Sequence, residues 1–454
     1  MPYDGEFAKQ RSQKRLIENR RVQELLKKRL QVKSVSTDVP TSQLVRVPLA
    51  DIQTDYWQPK YLLAVDGSHD PVSVENGYPG AEVGYVAVAA VLIDIETIKE
   101  LDKTRPVDPR QYRKTEDVDS IDSVFPGSNV VLDGLESPRH SLRLALYEIL
   151  ANTRIPPEGD SLLDTYEVLI AKRKVFEQSC PYKGDCLRAD QKFTIGQGQY
   201  QCTCLNSRSL YSTDALRIHE GMVPDGQNGE MFAEIMQTLE RLIVLHLLRW
   251  MEKNDCLKLL RHLAFIIDGP LAFFGNPATL QPYYLEELRR INNAAKPYTN
   301  GQDILMMGVE KSGFSVNHFE RLDRNANGTE GAFPRQTVGL LTDQYIKDHI
   351  IFSRSDKPYG RDTYFGRKFF YKTASGARIV GTLPLFSQSA ADTTKAEPIQ
   401  FARLGDALRL LDQLVSNRYP NSIFPLITAH SEASIPMNSR SLQELTRKLR
   451  NRNS

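Results

Sequence analysis

The sequence predicts an α/β fold, a sheet of mixed strand direction flanked by helices, and three observations carry that expectation. Apolar, β-branched runs recur at Tyr61 to Asp66, Val83 to Ile95, Leu263 to Asp268 and Ile304 to Val309, with the length and composition of buried strands. Between them, Met231, Ile235, Leu239, Leu242, Ile243, Leu247 and Trp250 recur at helical spacing, predicting an unusually long helix from Glu230 to Lys253. With 454 residues, 41% of them apolar and 25% charged, the chain can bury a sizeable core and has an ordinary globular balance.

From Lys9 to Lys33, ten Lys or Arg stand against Glu18 and Glu24, with Leu16, Ile17, Val22, Leu25, Leu26 and Leu30 at helical spacing. This predicts one basic amphipathic helix in an N-terminal arm over residues 1–59. A first core part, 60–155, holds the Tyr61 to Asp66 strand, a turn at Gly67-Ser68, and Val83 to Ile95 as hairpin partner. Lys99 to Asn129, rich in Asp, Arg and Pro, reads as a surface excursion, and Leu142 to Ala151 as a helix. Residues 156–228 read as an inserted Cys-rich subdomain, in which Cys180 to Cys204 follows a strand near Val168. The second core part, 229–454, contains the long helix and two further strands. A hairpin of Lys368 to Tyr371 with Arg378 to Leu383 follows, then a strand from Ile423 to Thr428 leading into Ala429-His430, and a basic helix from Ser439 to Arg450.

The net charge of +2 confines any nucleic-acid surface to a local patch. The longest apolar stretches, Tyr85 to Ile93 and Leu242 to Leu248, fall short of the ~18–20 residues that cross a bilayer. The polar start MPYDGEFAKQRSQKR lacks the apolar core of a secretory signal. A cytoplasmic protein with no membrane partner is expected. In that reducing setting the four cysteines crowded into Cys180 to Cys204 read as metal ligands.

Asp66 and Asp268 each close an apolar run and precede a glycine, which would hold both carboxylates at one rim of the sheet. Singly, Asp-Gly is common turn chemistry; twice in one chain, it points to a site. On the long helix Glu230 and Glu234 have polar neighbours one turn on. Glu240 has Ile243, Val244 and Leu247 instead, which places it on the packed flank. An isolated buried carboxylate costs tens of kcal/mol in idealised terms, so Glu240 is either a metal ligand or an ion-pair partner of Arg241 or Arg249. Three converging carboxylates suit Mn²⁺ or Mg²⁺, and a pair of such ions ~3.5–4 Å apart suits in-line phosphodiester hydrolysis. His430 can complete the set as ligand or as general acid or base, although a lone histidine is more often structural. Cys180, Cys186, Cys202 and Cys204 can supply a closed tetrahedral Zn²⁺ site, with His219 able to replace one thiolate. Unligated thiols, a redox pair and an iron-sulfur cluster are the alternatives. Cys256 reads as a small core residue.

AVDGS at Ala64 to Ser68, IIDGPL at Ile266 to Leu271, the preceding helix with Glu240, GVEKS at Gly308 to Ser312 and RYP…AH at Arg418 to His430 together resemble the NurA nucleases. The match runs from about Tyr61 to His430. The resemblance implies a ribonuclease-H-like core, manganese dependence, and 5′→3′ exonuclease and single-strand endonuclease activity on DNA. It also implies a homodimer enclosing a DNA channel and partnership with the hexameric ATPase HerA, in DNA repair, end resection or antiviral defence. It carries metal binding onto Asp66, Glu240 and Asp268, places His430 on or near the metal, and makes Lys311 and Tyr419 neighbours that act on substrate phosphate. The spacing from Glu240 to Asp268 is longer than the family's, which keeps Glu234 as an alternative. The gap from Tyr419 to His430 is longer too. A catalytically inactive DNA-binding adaptor for a translocase is the competing expectation, and an RNA-directed nuclease of the same core a third. No Gly-rich phosphate loop ending in Lys-Ser/Thr occurs, so the chain is not expected to power translocation itself.

Overall fold

The computed structural model describes residues 14–15, 17–30, 44–54, 59–74, 78–96, 116–173, 177–178, 180–182, 186, 193–202, 207–325, 327–416 and 421–434. The chain parts into two compact units, Met1–Pro40 and Thr41–Ser454. In the first, the expected continuous helix is interrupted: Asn19 takes an extended conformation and its side chain caps a new turn, Arg20–Glu24, which passes into a wider turn at Leu25–Arg29. A short polar side chain that accepts from the next free N–H groups starts a helix afresh. Ile17, Leu25, Leu26 and Leu30 are exposed. The C-terminal basic helix expected at Ser439 to Arg450 lies outside the described residues.

The second unit is built on a nine-stranded sheet in the order β1-β11-β12-β13-β10-β9-β2-β3-β4. The strands are β1 (Leu44–Pro48), β2 (Tyr61–Ser73), β3 (Glu82–Asp94), β4 (Glu116–Pro126), β9 (Leu263–Asp268), β10 (Leu305–Glu310), β11 (Thr337–Leu341), β12 (Gly366–Lys372) and β13 (Arg378–Pro384). Two-residue and three-residue strands β5 to β8 lie within the Cys-rich stretch. β2 pairs in parallel with β9, and β9 with β10, while the other pairings are antiparallel. Three antiparallel strands continued by two parallel ones beside the first is the arrangement of a ribonuclease-H-like core. β1, within the expected 1–59 arm, belongs to the sheet of this unit and pairs with β11.

Helices cover both faces, which is why the central strands read as continuous apolar runs. On β3, Val86, Val88 and Ala90 enter one core with α1 (Pro138–Asn152), α2 (Leu162–Ala171), α3 (Gly229–Lys253) and α4 (Gln281–Ala295), while Ala89, Val91 and Ile93 enter the other with α6 (Leu404–Leu414) and α7 (Phe424–Ala433). A further helix, α5 (Phe314–Leu322), follows β10, and its Phe319 stacks on Phe370 of β12.

Four expectations are corrected. The chain does not turn at Gly67-Ser68: β2 runs on, paired residue for residue with β3. Within the expected surface excursion, 116–126 is the edge strand β4, turning Ile121 and Phe125 into the core. Its aspartates, tolerated at an edge, mask the alternation. The expected strand near Val168 is α2, started by a reciprocal Ser161–Asp164 capping box. The expected strand from Ile423 to Thr428 is instead the start of α7, whose Phe424, Leu426, Ala429 and Ala433 are buried.

Candidate active site

Helix α3 crosses the sheet at two glycines. A Cβ on Gly84 would lie 2.3 Å from the Phe232 ring, and one on Gly67 would lie 2.6 Å from Met236 Cγ and 2.8 Å from Glu240 Oε1. Only bare backbone permits the helix to come so close, and that approach brings the Glu240 carboxylate under the strand that carries Asp66. Parallel pairing of Val65 with Ile267 sets Asp66 beside Asp268, and Asp268 beside Val309 of β10. Lys311 leaves the end of β10 at the same rim.

These residues meet. Lys311 Nζ lies 2.5 Å from Asp66 Oδ2 and 3.2 Å from Asp268 Oδ1. His430, brought in by α7, has Nδ1 3.3 Å from Asp66 Oδ2. Glu240 is 2% exposed and its carboxyl accepts a hydrogen bond from the Arg241 guanidinium. The Arg241 guanidinium also donates to the carbonyls of Asp268 (3.3 Å), Pro270 (3.1 Å) and Ala272 (3.4 Å), tying α3 to the loop that follows β9. Asp66 Oδ1 is buried with no hydrogen-bond partner. Among the described residues the three carboxylates do not gather their oxygens within 4.8 Å of one another; the Lys311 ammonium stands between two of them.

The electrostatics are those of crowded acids. Burial, partly offset by Arg241 and reinforced by Asp66 and Asp268, pushes the Glu240 carboxyl up to about 8. Burial and the neighbouring Asp66 raise Asp268 to about 6. Burial opposes the Lys311 charge, yet Asp268 and Asp66 hold its pKa above the usual lysine value. The hydrogen bond to Asp66 raises His430. An acid cluster with an unpartnered buried oxygen and displaced titration fits a site for a hard divalent cation.

Of the expected residues, Asp66, Asp268, Glu240, Lys311 and His430 come together. Glu234 does not join them: it is half-buried against Gly275, bonded to the Asn276 backbone, with its pKa raised by burial. His430 arrives on a helix rather than at a strand end. Tyr419 lies outside the described residues. Arg241, expected only as an alternative partner, proves to be the clamp on Glu240. Glu310, salt-bridged to Lys368 at 2.8 Å, was missed; its place between Val309 and Lys311 in GVEKS was the available signal.

In the Cys-rich stretch, Cys180, Cys186 and Cys202 are buried with Tyr182 and Leu210 in a small core of their own. Their sulfurs can hold a metal ion: Cys202 Sγ lies 4.0 Å from both Cys180 Sγ and Cys186 Sγ. That is near the ~3.8 Å that two ~2.3 Å bonds at a tetrahedral angle impose. Burial, with Cys186 and Cys202 nearby, pushes the Cys180 thiol up to about 12, a cost that metal binding would remove. Cys204 lies outside the described residues. His219 is buried and its pKa falls to about 4, but it is not part of the thiol group. Cys256 is half-exposed, just before a 3₁₀ turn rather than within a helix core.

A ribonuclease-H-like sheet with an acidic cluster across its parallel strands defines the class. Residues 61–435 match the NurA domain, and the chain belongs to the NurA family. Among solved structures, the NurA nuclease from Sulfolobus solfataricus aligns over 98% of this chain and 97% of its own, at 12% identity and a TM-score of 0.30. No curated protein matches the chain. No described helix is long and apolar enough to cross a membrane.

Proposed function

We propose that the protein is a cytoplasmic, divalent-metal-dependent deoxyribonuclease that hydrolyses phosphodiester bonds using Mn²⁺ or Mg²⁺. The observation that carries this reading is the pair of carboxylates, Asp66 and Asp268, both in contact with the Lys311 ammonium, with Glu240 buried beneath. Divalent ions held there would neutralise phosphate charge and make water nucleophilic at neutral pH. Asp66, Asp268 and Glu240 are the proposed metal ligands. His430, against Asp66 and open to solvent, ligates or moves the proton. Lys311 swings from the carboxylates to the scissile phosphate, and Tyr419 joins it on the resemblance alone. Cys180, Cys186 and Cys202, completed by Cys204, hold a structural Zn²⁺. By the same resemblance the protein acts as a homodimer with a HerA-like hexameric ATPase, with 5′→3′ exonuclease and single-strand endonuclease activity, in end resection or defence.

A second reading, the inactive DNA-binding adaptor, has one observation in its favour: the Lys311 ammonium already fills the space between Asp66 and Asp268. Labelled single-stranded and blunt duplex DNA with Mn²⁺ decides between them. Cleavage that is lost in folded Asp66→Asn and Asp268→Asn supports the nuclease. Salt-sensitive binding without cleavage by the intact protein supports the adaptor, and cleavage of RNA alone would redirect the substrate.

A further inference from the structure

Beyond the carboxylates, a cleft of about 380 Å³ opens between α4, the loop before β12 and the ends of β11 and β12. Leu285, Ile346, Tyr359 and Tyr364 contribute to its walls, and Arg289, Arg361 and Arg367 line it. Elsewhere in the fold buried guanidiniums sit on carboxylates, as Arg143 does on Asp214, Arg241 on Glu240 and Arg403 on Asp406. Here they do not. Arg289 donates to the Leu385 carbonyl at 2.7 Å, and burial alone shifts its pKa, downward. Arg367, 4% exposed, donates to backbone carbonyls, among them Asp392 at 2.9 Å. Arg361 is exposed and makes no ion pair among the described residues. The acid lining the cleft, Asp343, lies 3.1 Å from Lys347.

Asp392 and Asp343 only partly offset the burial of the Arg367 charge, and guanidinium charge that meets no carboxylate directly in a half-buried cleft is costly unless an anion completes it; guanidinium forks match phosphate oxygens. Apolar walls with two tyrosines match a planar base. The size suits one small ligand. The cleft also adjoins the candidate site: Lys368, on its wall, bonds Glu310, the neighbour of Lys311, and Phe365 N–H donates to Leu271 O, in the loop leaving Asp268.

We infer that this cleft binds one nucleotide unit, its phosphate between Arg289 and Arg361 and its base against Tyr359 and Tyr364. The inference deepens the nuclease reading and rests on it for the source of the nucleotide, which is either a unit within the bound strand or a released mononucleotide. The test uses the full chain in chelator, where no cleavage occurs, with dTMP and inorganic phosphate followed by calorimetry and a labelled oligo-dT strand by anisotropy. Arg361→Gln, at an exposed position, and the Arg289→Gln/Arg361→Gln pair are compared with the parent, their folding checked by circular dichroism. dTMP is expected to bind one per chain and more tightly than phosphate, and to weaken at least tenfold in the folded double variant. A parallel loss of strand affinity assigns the cleft to the strand, and an unchanged strand affinity assigns it to the product. Unchanged affinity for both dTMP and the strand in folded variants overturns the inference, as does equal affinity of the parent for phosphate and dTMP. Cleavage with Mn²⁺ is read separately, so nucleotide binding by a protein that cuts nothing would sink the nuclease reading and leave the cleft standing.

Discussion

Replacing Glu240 with glutamine tests the electrostatics of the site directly. In the metal-free fold its carboxyl is pushed from 4.5 to about 8, so between those values the native protein keeps a proton that the unfolded chain has released. Stability must therefore fall as pH rises through that window, by ~1.4 kcal/mol per unit for one group, or about 4 kcal/mol between pH 5 and pH 8. Glutamine has no proton to release, so the variant gains that amount over the parent across the same interval. At an unfolding entropy of ~2.1 cal/mol/K per residue, a chain of this size shifts by roughly 1 °C per kcal/mol, which amounts to about 4 °C. Scanning calorimetry of both proteins in chelator at pH 5, 6, 7 and 8 should show the two melting temperatures diverging with pH. Saturating Mn²⁺ at pH 8 should then raise the parent's melting temperature and leave the variant's nearly unmoved. Parallel pH curves, or equal stabilisation of both proteins by Mn²⁺, would refute both the buried acid and its role as a ligand.

Two further outcomes are expected. Lys311→Met removes the ammonium that bridges Asp66 and Asp268, so calorimetry should find Mn²⁺ bound about tenfold more tightly, on the order of the ~1 kcal/mol or more that one ion exerts on another at ~4 Å, while cleavage at saturating metal falls; an unchanged or weaker affinity refutes the competition. Cys202→Ser, which removes the sulfur 4.0 Å from both Cys180 and Cys186, should strip zinc from the purified protein by mass spectrometry and lower its melting temperature; a parent protein free of zinc would refute the metal reading of the cluster.

Strands buried on both faces were legible because nothing polar interrupts them: β3, β9 and β10 lie within a residue or two of their expected bounds. β4 was hidden because an edge strand needs only Ile121 and Phe125 turned inward. The α7 helix was misread because Ile423 to Thr428 is short and apolar, and such a run fits either period. The candidate carboxylates could be singled out by burial logic alone, Glu240 through its apolar neighbours and the two aspartates through their place at strand ends. The function of Gly67 could not, because the sequence does not announce that a helix presses on it. Nor could the Arg241 clamp, whose partners are carbonyls of a loop 27 to 31 positions further on. Adjacent residues reveal which side chains are costly to bury, and the three-dimensional path decides who offsets the cost.

The bond between Lys311 and Asp66 spans 245 positions of chain, and His430 lies farther along still. A polypeptide emerging from the ribosome thus holds Asp66 long before any of its partners exists. Until β10 has been synthesised and has docked the acidic rim lacks its ammonium, and until α7 follows it lacks its imidazole. A chain cut short before α7 would carry the three carboxylates without the imidazole that stands against Asp66, and its rim would be incomplete.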